Sequence, residues 1–262
     1  MSDASLVDGA AGGSARAVLA GQVALGLVLL GGWELAGRTY GYDWTSLPSL
    51  IAARLGVWVI GDLWLHTVTT LSEMLIGLAL GGTAGVAVGL MLGRAPVIAT
   101  VLRPIIVALY SVPLITMAPL LILWFGLDLE PKIVLVTIVV FFLVFFNTFA
   151  GVQAIDQDLI ATVRMMCARG TEEFRKLVAP AAMAWILSGL KIALPYALAA
   201  ATTGELLAAR RGLGSLLAHA ATQFDMTGLY AALFVLMLMG IAISEAAALL
   251  ERRLLRWRHG GE

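Results

Sequence analysis

The residue types that most often carry enzyme chemistry are few in this sequence and lie far apart. Its 262 residues include three histidines and a single cysteine, Cys167. His66, His219 and His259 do not form the H-E-x-x-H spacing that sets two zinc ligands on one helix face. The sequence also lacks a G-x-S-x-G nucleophile turn and a G-x-x-x-x-G-K-[ST] phosphate-binding loop. We therefore predict no catalytic residue, no metal site and no internal disulfide.

Two charged residues lie inside one long apolar segment. Lys191 and Glu205 are fourteen positions apart, close to four helical turns, so a helix would put them on one face but about 21 Å apart. Charges within membrane helices usually face a cavity or a partner. The alternative is that both side chains extend to opposite membrane surfaces. The sequence leaves both interpretations open.

The composition indicates that most of this chain faces lipid. Hydrophobic residues make up 60% and charged residues 13%, and the mean hydropathy is +0.94. Soluble domains are about 45–50% apolar and about 25% charged. This chain has too few charged residues to cover a water-facing surface, so most of it must face lipid or other apolar helices. The formal net charge of +0 argues against nucleic acid as a partner, because that binding depends on basic residues.

Six charge-poor segments predict an all-α polytopic membrane protein with six transmembrane helices, since about 20 apolar residues span a bilayer. They lie near residues 17–37, 67–93, 101–125, 132–154, 181–207 and 228–250. We expect residues 1–15, rich in Gly, Ala and Ser, to be a disordered cytoplasmic tail. Residues 16–262 are predicted to form one transmembrane domain. Pro48 is expected to open a short helix along the membrane interface, with an ordered loop anchored by tryptophans as the alternative.

The basic residues predict the orientation of the chain. With the N-terminus inside, eleven of the 17 Lys and Arg residues fall in cytoplasmic segments and five fall outside. Because cytoplasmic loops carry the excess of Lys and Arg, we predict that both termini are cytoplasmic.

Glycines at a spacing of four mark one face of the second span. They are Gly77, Gly81, Gly85, Gly89 and Gly93. Small residues in this pattern let a neighbouring backbone approach closely. They predict helix packing inside a bundle and do not identify a substrate.

The third span contains three prolines, Pro104, Pro113 and Pro119. Each removes a backbone donor and can kink a helix. Freed carbonyls inside a membrane need neighbours or a water-filled path. We interpret this span as a broken helix near a pathway, and kinks needed only for packing are the alternative.

The polar segment between the fourth and fifth spans, residues 156–182, is too polar to cross lipid. Asp156 or Asp158 is predicted to cap a first short helix and Gly170 to end it. Thr171 is predicted to cap a second short helix. Together the two helices would form a compact knob outside the membrane.

Three stretches are similar to one known family. They read VPLITMAPLLILWFGLD at residues 112–128, EFRKLVAPAA ending at residue 182, and TGELLAARRGLGSLL at residues 203–217. From about Pro48 onward, the chain resembles the membrane permease subunit of bacterial ABC importers, in the branch that serves nitrate, sulfonate, taurine and bicarbonate. The resemblance implies the type I importer permease fold.

The EAA pattern of that family consists of Glu-Ala-Ala, three further residues and Gly, followed later by a Pro. The loop of this chain departs from that pattern. With Pro180 in register, the triplet falls on residues 161–163 and the glycine on Cys167. The loop keeps its length and its proline but lacks the glutamate and the glycine. Gly170, three residues later, is positioned to supply the turn.

The resemblance implies that residues 156–180 contain a coupling helix that docks into a separate ATPase. Closure of two ATPase subunits would then switch the permease between inward-open and outward-open states. Met165 and Met166 offer adaptable apolar surface for that contact. The predicted coupling residues are Ala161, Arg164, Met165, Met166, Cys167, Arg169, Gly170, Glu172, Glu173 and Phe174.

The resemblance also implies the partners and the location. They are ABC ATPase subunits that hold ATP and Mg, a second permease copy in a homodimer, a periplasmic binding protein, and the lipid of the bacterial inner membrane. We expect no cofactor in this chain. Candidate residues of the translocation path are Tyr110, Met117, Asn147, Thr202, Thr203 and Glu205.

The cargo suggested first is a small oxyanion such as nitrate, a sulfonate or bicarbonate. A pyrimidine-type precursor or an aromatic acid is the alternative within the same class. Two other classes remain open from the sequence: an ion-coupled secondary transporter and an intramembrane enzyme.

Overall fold

The computed structural model of the chain describes residues 4–41, 45–166, 170–208 and 210–254, and this part is helical with short connections. Its helices are α1 (Ala4–Tyr40), α2 (Pro48–Ile60), α3 (Leu63–Gly93), α4 (Pro96–Tyr110), α5 (Ala118–Phe125), α6 (Glu130–Gln153), α7 (Gln157–Met165), α8 (Thr171–Glu173), α9 (Ala179–Ala208), α10 (Leu213–Thr222) and α11 (Met226–Leu254). A 3-10 turn, Leu114–Met117, precedes α5, and a π-helical turn, Phe174–Val178, joins α8 to α9. No strand occurs in these residues, which confirms the all-α fold class.

Five of the six predicted spans are confirmed. Within the described residues, five segments are long and apolar enough to cross a membrane: Ala20–Thr39, Leu63–Gly93, Glu130–Gln153, Thr171–Leu207 and Met226–Leu249. Each overlaps one predicted span almost completely. The composition therefore identified the membrane class correctly.

The third span, predicted over residues 101–125 and interpreted as a broken helix, is indeed interrupted. Helix α4 ends at Tyr110, and a 3-10 turn follows Pro113 before α5 begins. Pro119 lies in the first turn of α5, where its missing N–H costs nothing. With 15 and 8 residues, neither α4 nor α5 has the ~20 residues that a complete crossing takes. The segment is thus broken at Pro113, whereas Pro104 lies inside the continuous helix α4.

The N-terminal segment begins with a helix. Helix α1 starts at Ala4, so the described backbone of residues 4–15 is helical. Alanine has the highest helix propensity of all residues, and this segment contains several. That residues 1–15 form a cytoplasmic tail stays a prediction.

The chain divides into two compact units, Met1–Gly61 with Ala220–Ala231, and Asp62–His219 with Ala232–Glu262. In the first unit, α2 begins at Pro48, as predicted, because proline fits the first helical turn. Ser49 donates from both its N–H and its hydroxyl to the Glu34 carboxylate. These bonds fasten the start of α2 to α1.

A second connection in the first unit joins α2 to the residues that precede α11. Arg54 Nη1 lies 2.6 Å from Asp225 Oδ2, and the Gly228 N–H donates to Asp225 Oδ1 at 3.0 Å. Burial alone would raise the pKa of Asp225, but these two hydrogen bonds outweigh it and hold the pKa of that carboxyl below its ordinary value. Asp225 is therefore an anion at neutral pH and caps α11.

The second unit is organised around α6. Successive glycines of α3 contact successively later residues of α6, from Gly77 at Val136 to Gly93 at Val152. Helices α3 and α6 are therefore parallel. Contacts of α9 run in descending order, with Trp185 at Gly151 and Gly204 at Lys132, so α9 is antiparallel to α6. We call the end of these helices next to residues 154–178 the loop end, and the other the far end.

Candidate functional site

The loop between α6 and α9 folds as predicted in outline. The Asp156 carboxylate accepts the N–H of Asp158 at 2.9 Å and so caps α7. Gly170 has φ +63°, a conformation that favours glycine, and it supplies the turn. Thr171 is the first residue of α8 rather than its cap, because Gly170 occupies the capping position. That detail of the prediction is wrong.

The exposed part of this loop is apolar at its tip. Met165 and Met166 are each 77% exposed, and Ala161 and Glu172 are also exposed. Cys167 and Arg169 lie outside the described residues, as does the Arg164 side chain. Two large apolar side chains that face solvent at the end of a short helix are typical of a contact surface.

Two of the predicted coupling residues face inward instead. Glu173 is buried and Phe174 is half-buried. Phe174 lies beneath Arg94, whose guanidinium carbon is 5.2 Å from the ring centroid. Arg94 also donates to the Gly170 carbonyl at 3.3 Å. Arg94 follows α3 directly, so this cation–π contact and hydrogen bond attach the loop to the loop end of α3.

Replacing Arg94 by Ala is expected to loosen residues 170–178 and leave the long helices folded. An exposed cation–π contact contributes about 0.5–1 kcal/mol, so backbone amides of this segment should exchange roughly two- to fivefold faster. Hydrogen exchange of the membrane-embedded chain measures this, with Arg94→Lys expected between wild type and Ala. The control is Arg252→Ala, which removes an exposed arginine from α11. Equal exchange in the two Ala variants would contradict the contact.

The predicted path residues do not form one lining. Thr202 and Thr203 donate to carbonyls of their own helix, and Asn147 Nδ2 donates to the Leu143 carbonyl at 2.8 Å. Tyr110 is 44% exposed and its ring packs 5.2 Å from the centroid of Phe146. Met117, in the 3-10 turn, is half-buried, and Glu205 is fully buried. Of these six residues, Tyr110 alone presents a large exposed face.

A cavity that the sequence did not reveal lies at the loop end. It has a volume of about 980 Å³ and is lined by residues of α3, α4 and α6. None of the six predicted path residues contributes to it. Its lining includes Arg103, which the charge pattern counted only among the cytoplasmic basic residues. An arginine within a proline-broken segment is the signal that would have indicated it.

A buried cluster of charges lies at the far end. Lys132 Nζ is 2.5 Å from Glu73 Oε1, and their side chains are 6% and 1% exposed. The stem of Lys132 packs on Gly204, because a Cβ there would lie 2.9 Å from Lys132 Cγ. Glu205, the next residue, is fully buried. Three ionisable side chains from α3, α6 and α9 thus meet in one place.

The Glu205 carboxylate holds the turn between α9 and α10. Its two oxygens accept the Thr70 hydroxyl and the Gly214 N–H, both at 2.7 Å. Thr70 in turn accepts the Leu213 N–H at 2.8 Å, and His66 Nδ1 accepts the Gly212 N–H at 3.1 Å. Glu205 therefore faces partners rather than extending to a membrane surface. His66 has a structural role here.

Sequence reasoning missed Glu73 and Lys132. Glu73 lies inside the predicted second span, and Lys132 was assigned to an external loop at the start of the fourth. A carboxylate within an apolar span is itself a signal of a partner. Identifying Lys132 as the partner of Glu73 would have required knowing that α3 and α6 are parallel neighbours. The glycine spacing alone does not specify this.

Comparison with known proteins decides the family. Residues 81–256 match the family described as "Binding-protein-dependent transport system inner membrane component". The chain belongs to this family. It is therefore a permease of an ABC importer and a multi-pass inner-membrane protein. Membership implies a binding protein and an ATPase as partners in general.

Several curated relatives are similar over most of their length. The formylaminopyrimidine transport permease ThiX of Halalkalibacterium halodurans is 32% identical over 88% of this chain and 93% of its own. The aliphatic sulfonates permease SsuC of Bacillus subtilis, described as putative, is 29% identical over 90% and 86%. The taurine permease TauC of Escherichia coli is 29% identical over 76% and 72%. These permeases support the sulfonate and taurine branch, while their named substrates differ.

A solved structure supports the fold. An inward-facing structure of the methionine ABC transporter MetNI has a TM-score of 0.65 with 20% identity, covering 74% of this chain and 98% of that one. At this identity the likeness concerns the fold alone. It agrees with the helical membrane architecture of the permease.

Proposed function

We propose that this permease forms the translocation path of an ATP-driven importer and works as a homodimer, with both termini in the cytoplasm. A periplasmic binding protein delivers the solute, and a separate ATPase drives the conformational cycle and holds ATP and Mg. The chain itself contributes no catalysis and no cofactor. The observation that carries this proposal is the exposed methionine pair on the loop between α6 and α9, at the position where family members couple to their ATPase.

The loop is suited to transmit motion for two reasons. Its tip exposes Met165 and Met166, which adapt to an apolar groove on a partner. Its base is attached to α3 by Arg94 and continues into α9 through the π-helical turn. π-Helical turns occur frequently at functional sites. A partner that moves the tip therefore acts on both α3 and α9.

The cargo in this proposal is a small anionic solute such as a sulfonate. The names of two relatives favour a second candidate, since ThiX is a formylaminopyrimidine permease and RibX of Chloroflexus aurantiacus, 33% identical over 88% of this chain, a riboflavin permease. A pyrimidine-type or other aromatic solute is therefore the alternative for the same transporter.

The coupling surface is tested by adding charge at its tip. Met165→Asp with Met166→Asp is expected to reduce ATPase co-purification at least about tenfold, because a buried unpaired carboxylate opposes docking. Membrane insertion should not change, since both side chains lie outside the spans. Pull-down of the ATPase from solubilised membranes measures the effect.

The control adds one such charge at the far end. Leu127, 65% exposed in the connection between α5 and α6, is replaced by Asp, and ATPase binding should remain at the wild-type level. If the methionine double variant bound the ATPase as well as the Leu127→Asp control, the proposed docking surface would be wrong.

A further inference from the structure

The loop-end cavity combines a positive charge with an aromatic wall. Arg103 and Thr100 contribute from α4, and Phe145, Phe146 and Phe149 contribute from α6. The volume, about 980 Å³, is at the upper end of the range for small-molecule sites, roughly 300–1,000 Å³. A cavity of this size is much larger than a bare oxyanion requires. It fits an organic molecule.

Among the described residues, Arg103 has no ion-pair partner. Arg103 is exposed. A guanidinium that lines a largely apolar cavity is stabilised by an anion or by water. Arginine also binds planar oxyanions such as carboxylate in a two-pronged manner. A sulfonate presents comparable oxygens.

The aromatic wall offers flat apolar surface. Phe145 and Phe149 stack with centroids 5.9 Å apart and an interplanar angle of 24°, while Phe146 packs edge-on against Phe145 at 5.2 Å. Phe145 is buried and forms the floor, whereas Phe146 and Phe149 are half-buried. Aromatic rings favour offset stacking with other rings. The wall therefore suits a planar substrate.

We propose that this cavity is a substrate-binding station at the loop end of the path, specific for organic anions that carry an aromatic ring. Arg103 binds the anionic group, and Phe146 and Phe149 contact the ring. This inference rests on the proposed transport function and narrows its substrate class. It unites the two cargo candidates, because an aromatic sulfonate or carboxylate has both the charge of one and the flat ring of the other.

Binding measurements on the intact permease–ATPase complex test the station. The complex is placed in nanodiscs of phosphatidylcholine, which supply no anionic lipid, and titrated with radiolabelled benzenesulfonate. Wild type is expected to bind benzenesulfonate at least tenfold more tightly than methanesulfonate, which lacks the ring, or benzenesulfonamide, which lacks the charge. Equal binding of the three would overturn the proposal.

Variants separate the two contacts. Arg103→Gln is expected to weaken benzenesulfonate binding at least tenfold, and Arg103→Lys less, because it keeps the charge. Phe146→Ala is expected to weaken benzenesulfonate and leave methanesulfonate unchanged. Arg252→Gln, on exposed α11 surface, is the matched control and should bind like wild type. Wild-type binding by Arg103→Gln would overturn the assignment.

Further measurements distinguish a failure of the binding station from a failure of the proposed function and from lipid binding at Arg103. If the ATPase activity of the complex required the permease but Arg103→Gln left benzenesulfonate binding unchanged, the binding station would be refuted. The proposed function would then stand. A permease that neither binds nor stimulates the ATPase would refute the proposed function itself. If Arg103→Gln changed activity only in vesicles containing phosphatidylglycerol, Arg103 would contact a lipid headgroup and the station would be refuted.

Discussion

Replacing Lys132 by Met is expected to destabilise the permease by about 3–5 kcal/mol, because it leaves the buried Glu73 carboxylate without its counter-charge. The two side chains are almost fully enclosed and lie 2.5 Å apart, so solvent does not replace the lost ammonium. The apparent melting temperature of the purified chain in detergent should fall by several degrees or more. Size-exclusion chromatography after a heating series measures it.

Two companion variants test the cause. Lys176→Met removes a lysine from an exposed pair with Glu172, 3.5 Å apart, and should cost at most about 1 kcal/mol. Adding Glu73→Met to Lys132→Met removes both buried charges and should restore most of the stability, as replacing a buried pair by apolar residues often does. A double variant no more stable than Lys132→Met alone would show that the charge imbalance is not the cause.

Replacing Gly85 by Ala is the second large effect that we expect. A Cβ at this position would lie 2.8 Å from the Phe141 carbonyl oxygen and 3.0 Å from the Phe145 nitrogen. Both are backbone atoms of α6, so the helices must separate along their contact. Overpacking of this kind costs typically about 1–3 kcal/mol, even though alanine favours helix over glycine. The same thermal assay reports it.

The matched control for this prediction is Gly32→Ala in α1. No heavy atom lies within 4 Å of a Cβ at Gly32, so the added methyl meets open space and the higher helix propensity of alanine should leave stability unchanged or slightly raised. If Gly85→Ala were as stable as Gly32→Ala, the close approach of α3 to α6 would not contribute to stability.

The fold was predictable where one physical requirement dominates. Long apolar segments must be helical in lipid, so composition alone located five spans. The glycine spacing predicted a close helix contact but not which helix makes it. The three prolines indicated that the third span is broken, but not that α4 ends at Tyr110 and that a 3-10 turn follows Pro113.

The candidate site was less predictable because it depends on which helices are neighbours. Met165 and Met166 were found because local sequence places them in a polar loop. Glu73, Lys132 and Glu205 come from three distant parts of the chain, and nothing local signals that they meet. Arg103 was passed over for a similar reason, since its aromatic partners lie some forty residues further along.

The row of glycines on α3 has a mechanical consequence. From Gly77 to Gly93, about 24 Å at 1.5 Å per residue, the glycines of α3 lie against backbone atoms and short β-branched side chains of α6. These side chains have little rotational freedom. Such tightly packed elements deform little and transmit strain. We therefore expect helices α3 and α6 to move as one rigid unit, so that a displacement applied at Arg94 reaches Thr70 and the turn held by Glu205.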